Sequence, residues 1–440
     1  MSLPQTNRKI NLLQATSINM IDMVGIGPFV VMPFVVAQFN NGLFIWAWIF
    51  GAFTAFADGM VWSELGAKYP LAGGTYNFHR IAYGEKGGRL MSFLFVWQTS
   101  IQAPLVVASA AIGFAQYLTY IVKLDVIEQK LVSAGLIIFV LLLLYRKIET
   151  VGKISVIFGS IVILTITWII VSGLTHQQHS IKLWPEGNES FFSFTFWSAV
   201  AYGSIKSVYT YLGYYNVCHL GSEIKRPEVN IPRSIFISIA GIAALYLLMN
   251  IAVMGVIPWH SVKQDDKYLV STFMEHLYGK RAAVITTILI LCIAMSSLFA
   301  VVLGYSRVPY AAAVDGNFFP AFGRLHPTKK FPYVSLLVLG GLGLVFSLFM
   351  SLKDVITAIL AMRIVVQFMA QAVGVVLLRQ RSGSKDLPFK MWLYPAPVIL
   401  SIGIWIFLLY HNEFALYGAL IALAGVIVYF IKKKFSKQAE

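Results

Sequence analysis

The sequence predicts an all-α membrane protein with about twelve transmembrane helices. Of its 440 residues, 58% are hydrophobic and only 12% are charged, and the mean hydropathy is +0.74. A soluble domain carries about 25% charged residues. The apolar residues also form runs long enough to cross a bilayer, which takes about 20 residues. Two of these runs are interrupted by glycine at corresponding places in two halves of the chain.

The candidate spans are apolar runs separated by short polar loops, and the third is long enough to cross the bilayer with a strong tilt. The fourth is the shortest of the candidates that precede the second break. In chain order they are Leu12–Gln38, Gly42–Gly66, Leu90–Val122, Leu131–Tyr145, Ile154–Gly173, Phe194–Gly221, Ile235–Ile257, Ala282–Arg307, Tyr333–Met350, Val355–Leu378, Tyr394–Tyr410 and Ala415–Ile431.

Basic residues are concentrated in alternate loops. With the N-terminus inside, most of the 34 Lys and Arg residues fall in the inside segments. Because cytoplasmic loops carry the excess of positive charge, we expect a multi-pass protein of the cell membrane with both termini in the cytoplasm. The net charge of +15 therefore reflects loops beside the lipid bilayer rather than a nucleic-acid partner. The two cysteines, Cys218 and Cys292, lie in apolar runs, and we expect neither a disulfide nor a metal site.

The positions of the two breaks predict an internal repeat. The first break falls in span 1 and the second in span 6, so spans 1–5 (residues 12–173) and spans 6–10 (residues 194–378) form two units of five helices. Since five is odd, the second unit inserts upside down relative to the first, which is the inverted-repeat architecture of secondary transporters. Spans 11 and 12 (residues 394–431) lie outside the repeat, and the whole chain forms one membrane domain.

The first break lies in the segment Asp22-Met23-Val24-Gly25-Ile26-Gly27-Pro28. Gly25 and Gly27 let the chain leave helical geometry, and Pro28 suits the first turn of a new helix. The positive end of that helix attracts a carboxylate, while carbonyls at the end of the preceding half-helix attract an ammonium group. One break can therefore hold both ends of a zwitterion. The alternative is close helix packing with a proline kink.

The second break centres on Gly213, which is surrounded by tyrosines. Tyr209, Tyr214 and Tyr215 lie on either side of it, and their rings could close over a ligand. The alternative is an aromatic packing cluster. Non-helical backbone at membrane depth is tolerated only where protein or a water-filled cavity surrounds it, so a matched pair of breaks indicates a midplane binding site.

Five sequence motifs stand out along the chain. The most extended is Ser222-Glu223-Ile224-Lys225-Arg226-Pro227, which continues to Asn230-Ile231-Pro232. The others are Gly25-Ile26-Gly27, the stretch from Glu64-Leu65-Gly66 to Gly73-Gly74-Thr75-Tyr76, the loop from Arg307 and Tyr310 through Asp315-Gly316 to Pro332, and Leu387-Pro388-Phe389 with Tyr394-Pro395. Taken in order, these motifs resemble those of the amino acid–polyamine–organocation superfamily, and the most extended one resembles its loop between spans 6 and 7.

This resemblance implies a leucine-transporter-like fold that works by alternating access. It places the substrate carboxylate at the N–H groups of Ile26 and Gly27, and the amino group at carbonyls of Met23, Tyr209 and Leu212. Tyr209 matches the family's aromatic gate, and Tyr214 stands where relatives often carry Trp. The substrate-binding residues expected are Met23, Gly25, Ile26, Gly27, Tyr209, Leu212, Gly213, Tyr214 and Tyr215.

Ionisable and hydroxyl groups inside the spans are further candidates, because such groups at membrane depth are functional by default. Asp22 precedes the first break and is either a proton or cation site or a carboxylate in a hydrated vestibule. Lys206 either acts beside the second break or snorkels outward. Arg363 is either a gate charge or part of a structural salt bridge. Ser296 and Ser297 are candidate sodium ligands, although serines in membrane helices commonly bond to the preceding turn.

Asp58 also lies within a span, with Trp62 and Glu64 nearby. We interpret it as structural.

The leading functional hypothesis is a secondary active transporter of amino acids, working as a symporter or an exchanger. No Gly-x-x-x-x-Gly-Lys-Ser/Thr motif is present in the sequence, so H⁺ or Na⁺ coupling or solute exchange must supply the energy. We expect no cofactor and no obligate protein partner. An enzyme is disfavoured because no His-Glu or His-x-x-x-His pairing falls in a span. The alternatives are a carrier of polyamines or organic amines, and a transporter-like solute sensor.

Overall fold

The computed structural model describes residues 8–39, 42–146, 148–184, 191, 193–264, 266–412 and 415–436. The first predicted repeat contains seven helices, of which α4 is a short helix between spans. They are α1 (Leu12–Met23), α2 (Gly27–Val36), α3 (Ile45–Lys68), α4 (Thr75–Ala82), α5 (Gly84–Leu118), α6 (Val126–Leu144) and α7 (Ile148–Thr175).

The rest of the described chain is also helical. Its helices are α8 (Phe194–Tyr211), α9 (Asn216–His219), α10 (Pro227–Met254), α11 (Leu269–Tyr278), α12 (Lys280–Tyr305), α13 (Arg307–Val314), α14 (Tyr333–Phe349), α15 (Leu352–Arg363), α16 (Ala370–Ser382), α17 (Ala396–Tyr410) and α18 (Ala415–Ser436). A π-helical segment, Ile364–Met369, joins α15 to α16. Across the described ranges, β-structure is limited to two isolated bridges, so the all-α prediction is confirmed.

Within the described ranges, seven stretches are long and apolar enough to cross a membrane: α3, α5, α6, α7, α10, the stretch Lys280–Val314 and α18. Helices α1 and α2 pass the same test together, as one span bent by 47° at its break. Helices α14 and α17 are apolar but shorter. A multi-pass membrane protein is therefore confirmed, while twelve spans and the inverted repeat stay predictions.

The broken helices lie at the centre of the packing. Helix α1 packs against α7, α10 and α12, and α8 packs against α2 and α3. Helix α5 runs beside α12, α14 and α15. The outermost helix is α18, which buries only 11% of its most apolar window inside the protein. Both breaks are thus enclosed by other helices, as non-helical backbone at membrane depth requires.

Segments that the sequence assigns to the cytoplasm lie together at one end of the molecule. Ile10, just before α1, forms a parallel bridge with Ile224, just after α9. The carboxylate of Glu223 accepts a hydrogen bond of 3.0 Å from Nε of Arg307, where α13 begins, and the Arg307 side chain is only 4% exposed. The prediction that these segments share one side of the membrane agrees with this arrangement.

Candidate functional site

The first break exposes main-chain donors. Helix α1 ends at Met23, and the Val24 amide still donates to the Met20 carbonyl at 2.9 Å. Helix α2 begins at Gly27. Among the described residues, no hydrogen-bond acceptor is recorded for the N–H groups of Gly25, Ile26 and Gly27. These groups lie at the positive end of the α2 dipole, so the break forms an anion cradle.

The second break packs directly against the first. Helix α8 ends at Tyr211 and α9 begins at Asn216, and between them Gly213 has a φ of +123°. A Cβ atom added to Gly213 would lie 2.7 Å from the Met23 nitrogen and 2.9 Å from Cγ of Asp22. Both the backbone conformation and this contact require glycine. Gly213 therefore lets the two unwound segments touch.

Tyr246, on α10, links the ends of both half-helices. Its hydroxyl lies 3.0 Å from the Met23 carbonyl oxygen and 3.2 Å from the Thr210 carbonyl oxygen. The side chain is fully buried. Carbonyls at helix ends lack intrahelical partners, and this single hydroxyl faces two of them. The Met23 carbonyl that the sequence assigns to the substrate amine keeps a second lone pair for another donor.

A cavity of about 60 Å³ lies between the two breaks. Ten of the residues predicted from the sequence line it: Asp22, Met23, Gly25, Ile26, Gly27, Tyr209, Leu212, Gly213, Ser297 and Arg363. The cavity therefore gathers most of the predicted binding, coupling and gating residues in one place.

Four other predicted residues do not line this cavity. The hydroxyl of Tyr214 turns away and donates to the Asp58 carboxylate at 2.6 Å. Tyr215 accepts a hydrogen bond from Arg363 behind the cavity wall. Ser296 donates back to the Ile293 carbonyl at 2.7 Å. Lys206 is half-buried on α8.

Two opposite charges line the cavity without touching. No N–O distance of 4.0 Å or less joins Asp22 to Arg363, although both are described. The Arg363 guanidinium lies over the rings of Tyr215 and Tyr305, with centroid distances of 5.9 and 5.2 Å. Arg363 is 6% exposed, and its Nε has no hydrogen-bond partner in the part of the chain that the structure describes. A positive and a negative group are therefore both available to a ligand in the cavity.

Ser297, on α12, lies against the first break. Its hydroxyl is 3.4 Å from the Asp22 carbonyl oxygen, and a Cβ on Gly25 would approach the same hydroxyl to 2.8 Å. The two serines that the sequence groups together thus have different surroundings. Only Ser297 faces the break.

Sequence reasoning missed part of the cavity wall, most of which comes from spans without a break. The additional lining residues are Val106, Ser109 and Ala110 of α5, with Thr210, Val301 and Ile359. The Ser109 hydroxyl lies 3.4 Å from the Tyr209 hydroxyl. Span 3 has no glycine break, so no local signal pointed to these residues. Ser109 is one of several polar residues in this span, so its polarity did not single it out.

The family model described as amino acid permease matches residues 10–431. The chain belongs to the amino acid permease family. The serine/threonine exchanger SteT of Bacillus subtilis is 24% identical over 446 residues, which cover 97% of each protein. The permease YecA of the same organism is 24% identical over 349 residues, covering 79% of this chain and 78% of YecA. The mouse Asc-type amino acid transporter 1 is 25% identical over 448 residues, covering 96% and 81%.

These matches confirm the resemblance drawn from the five motifs, and they place this permease in a family of transporters rather than enzymes. The matched region includes both breaks and the helices that enclose them. The cavity between Gly25–Gly27 and Gly213 therefore lies within the region that this permease shares with its family.

Proposed function

We propose that this permease is a secondary transporter that carries an amino acid across the cell membrane by alternating access. One observation carries the proposal, namely that two unwound segments pack together around a cavity lined by unpaired N–H groups and helix-end carbonyls. The N–H groups of Ile26 and Gly27 hold the substrate carboxylate, and carbonyls of Met23, Tyr209 and Leu212 hold its ammonium group. Main-chain dipoles thus recognise the part that all amino acids share.

The two cavity charges complement this arrangement. Asp22 directly precedes Met23, whose carbonyl meets the ammonium group, so the Asp22 carboxylate adds attraction for the same positive end. Arg363 brings a positive charge to the same cavity, and among the described residues its buried Nε–H has no acceptor. A zwitterion can satisfy both groups at once, because burying a charge is costly unless it is paired.

The cavity charges disfavour the polyamine alternative. A dication gains from carboxylates, and Asp22 is the only carboxylate among the described lining residues, whereas Arg363 would repel the second amine. The names of the relatives point to amino acids as well, since they include a serine/threonine exchanger and an Asc-type amino acid transporter. We therefore propose that the substrate is an amino acid, without specifying its side chain.

The experiment is amino acid exchange in proteoliposomes. Vesicles loaded with each unlabelled protein amino acid are tested for uptake of the same labelled amino acid, with wild type and Gly27→Val compared. A Cβ on Gly27 would already lie 3.3 Å from Cγ2 of Thr210 and 3.7 Å from Cε1 of Tyr209, so valine fills the carboxylate cradle. The matched control is Gly341→Ala on α14, where an added Cβ meets no atom within 4 Å.

We expect exchange by wild type and by Gly341→Ala, and loss of both binding and exchange in Gly27→Val. Full-affinity binding by Gly27→Val would place the substrate elsewhere. If wild type bound an amino acid in a thermal-shift assay but neither exchanged nor accumulated it, the sensor alternative would replace transport.

A further inference from the structure

Asp58 is a fully buried carboxylate on α3, away from the cavity, and it is surrounded by neutral donors. Its Oδ2 accepts hydrogen bonds from Trp62 Nε1 at 2.8 Å and from the Tyr214 hydroxyl at 2.6 Å. Its Oδ1 accepts from the Ser401 hydroxyl at 3.1 Å and from Trp405 Nε1 at 3.3 Å. Among the described residues, no Lys, Arg or His nitrogen lies within 4.0 Å of it.

This lack of a cation is unusual for a carboxylate at membrane depth, because a buried charge is normally paired. The other buried carboxylates show the contrast. Glu223 pairs with Arg307, and Glu64 pairs with Arg379. Asp58 instead accepts hydrogen bonds from four neutral donors, which stabilise its negative charge without a partner cation. Binding a proton would remove that charge without leaving a partner cation unpaired.

The surrounding donors can accommodate the neutral carboxyl as well as the anion. Indole N–H groups only donate, but the hydroxyls of Tyr214 and Ser401 can donate or accept. A proton on Oδ1 can be donated to Ser401, whose own hydrogen then turns toward the carbonyl of Pro397, four residues earlier in α17. The site therefore has a satisfied hydrogen-bonding pattern in both protonation states.

The same carboxylate is connected to the second break. Tyr214 follows Gly213, which lines the cavity and touches the first break. The 2.6 Å bond from Tyr214 is charge-assisted, and such bonds are about twice as strong as neutral ones. Neutralising Asp58 weakens this bond and loosens the residue next to the cavity. On the far side, Trp405 stacks on Phe368 of the π-helical segment at 4.2 Å, with an interplanar angle of 6°.

Few other titratable groups surround Asp58. At the break these are Tyr214 and Tyr215, with Arg363 bonded to the latter. His219 of α9 lies edge-on to the Trp62 ring at 6.0 Å. Among the described residues, the atoms within 4 Å of a Cβ built on Gly59, the residue after Asp58, belong to the apolar side chains of Ile235 and Ile239 of α10. Farther along α3, the Glu64–Arg379 pair links it to α16.

We infer that Asp58 is a proton-binding site that couples solute transport to a pH gradient. The inference rests on the proposed function. One proton enters from the outside with each solute, is held on Asp58 while the breaks rearrange, and leaves on the cytoplasmic side. Tyr214 transmits the protonation state to the second break. Asp58 is thus a positioning residue for the cavity, since it reaches the solute only through Tyr214 and Gly213.

The test separates accumulation from exchange in proteoliposomes. Membrane potential is clamped with valinomycin and equal potassium concentrations, and the outside is made one pH unit more acidic. The solute is the neutral amino acid that gives the fastest exchange in the assay described above. Symport of one proton per solute accumulates it about tenfold, because one pH unit corresponds to a tenfold concentration ratio.

We expect Asp58→Asn to keep exchange but to lower accumulation from about tenfold to about onefold, because the variant remains neutral throughout the cycle. The matched control is Asp315→Asn, whose carboxylate lies in the loop after α13 and pairs with Arg80 at 3.0 Å. It should accumulate solute as wild type does. Tyr214→Phe, which keeps the carboxylate but removes the link to the break, should also lower accumulation while exchange continues.

Three results would overturn the inference. Asp58→Asn could accumulate solute as wild type does, or wild type could exchange solute without any accumulation under the pH gradient. If Asp58→Asn fails to fold, Tyr214→Phe provides the third test: accumulation equal to that of wild type would overturn the inference. Absence of exchange by wild type with any amino acid would instead refute the proposed function, and the coupling role with it.

Discussion

Gly213→Ala tests whether close contact between the two breaks is needed for substrate binding. The substitution has two costs. A φ of +123° is disfavoured for alanine, which costs about 1–3 kcal/mol. The added Cβ would also lie 2.7 Å from the Met23 nitrogen, and such overpacking costs about 1–3 kcal/mol. The chain can relieve the second cost only by moving the breaks apart.

A control variant separates the two costs. Gly279, between α11 and α12, has a φ of +79°, but a Cβ there meets no atom within 4 Å. Gly279→Ala therefore carries the conformational cost without the contact. If separating the breaks transfers the packing cost to the binding step, Gly213→Ala should bind amino acid about 5- to 150-fold more weakly than wild type, since each 1.4 kcal/mol is a factor of ten.

The assay is equilibrium binding of a labelled amino acid to purified protein, with thermal unfolding measured in parallel. Gly279→Ala should lose thermal stability and keep wild-type affinity. Gly213→Ala should lose both thermal stability and affinity for the amino acid. If Gly213→Ala bound amino acid within twofold of wild type, the breaks would not need to touch, and the reasoning would be refuted.

Two further predictions concern stability. Tyr246→Phe should lower the free energy of unfolding by about 1–3 kcal/mol, because it leaves buried carbonyls short of a donor. Tyr211→Phe should change it little, since the hydroxyl of the neighbouring Tyr211 has no hydrogen-bond partner among the described residues; equal thermal midpoints for the two variants would count against this role of Tyr246. Burial lowers the pKa of His79, on α4 between spans 2 and 3, to about 4. The unfolded chain therefore binds more protons between pH 6.5 and 4, and stability should fall by about 1.4 kcal/mol per pH unit below 6.5. His79→Gln should flatten that part of the thermal-midpoint profile, and an unchanged slope would exclude His79 as its source.

The breaks could be predicted from the sequence because glycine and proline act locally. Gly25, Gly27 and Gly213 interrupt runs that would otherwise be continuous helices, and each marks a real break or its edge. Arg363 stood out because a charge within a span is rare. It does line the cavity, although its tyrosine neighbours come from distant parts of the chain.

Side-chain directions near the breaks could not be predicted in the same way. An unwound segment has no helical periodicity, so nothing in the sequence showed that Tyr214 turns toward Asp58. The wall formed by Val106 and Ser109 depends on how α5 packs across the molecule, which is a long-range effect without a local pattern. The interpretation of Asp58 as structural also rested on its sequence neighbours, Trp62 and Glu64, and missed its bond to the second break.

Together, the observations describe a permease in which the cavity between the breaks and a separate carboxylate share one unwound segment. The residues 212–215 contribute Leu212 and Gly213 to the cavity and Tyr214 to Asp58. A rearrangement of this segment would therefore change both the cavity lining and the hydrogen bond between Tyr214 and Asp58. Such sharing is what coupling between two sites requires, since each site must bias the same two-state element.

The most direct test of the central claim is an experimental density map of the permease with the amino acid that it exchanges. We expect the ligand between the two breaks, with its carboxylate oxygens about 3 Å from the nitrogens of Ile26 and Gly27 and its ammonium group beside the carbonyl ends of α1 and α8. A ligand bound elsewhere, or α1–α2 and α8–α9 seen as continuous helices without unwound segments, would contradict the account.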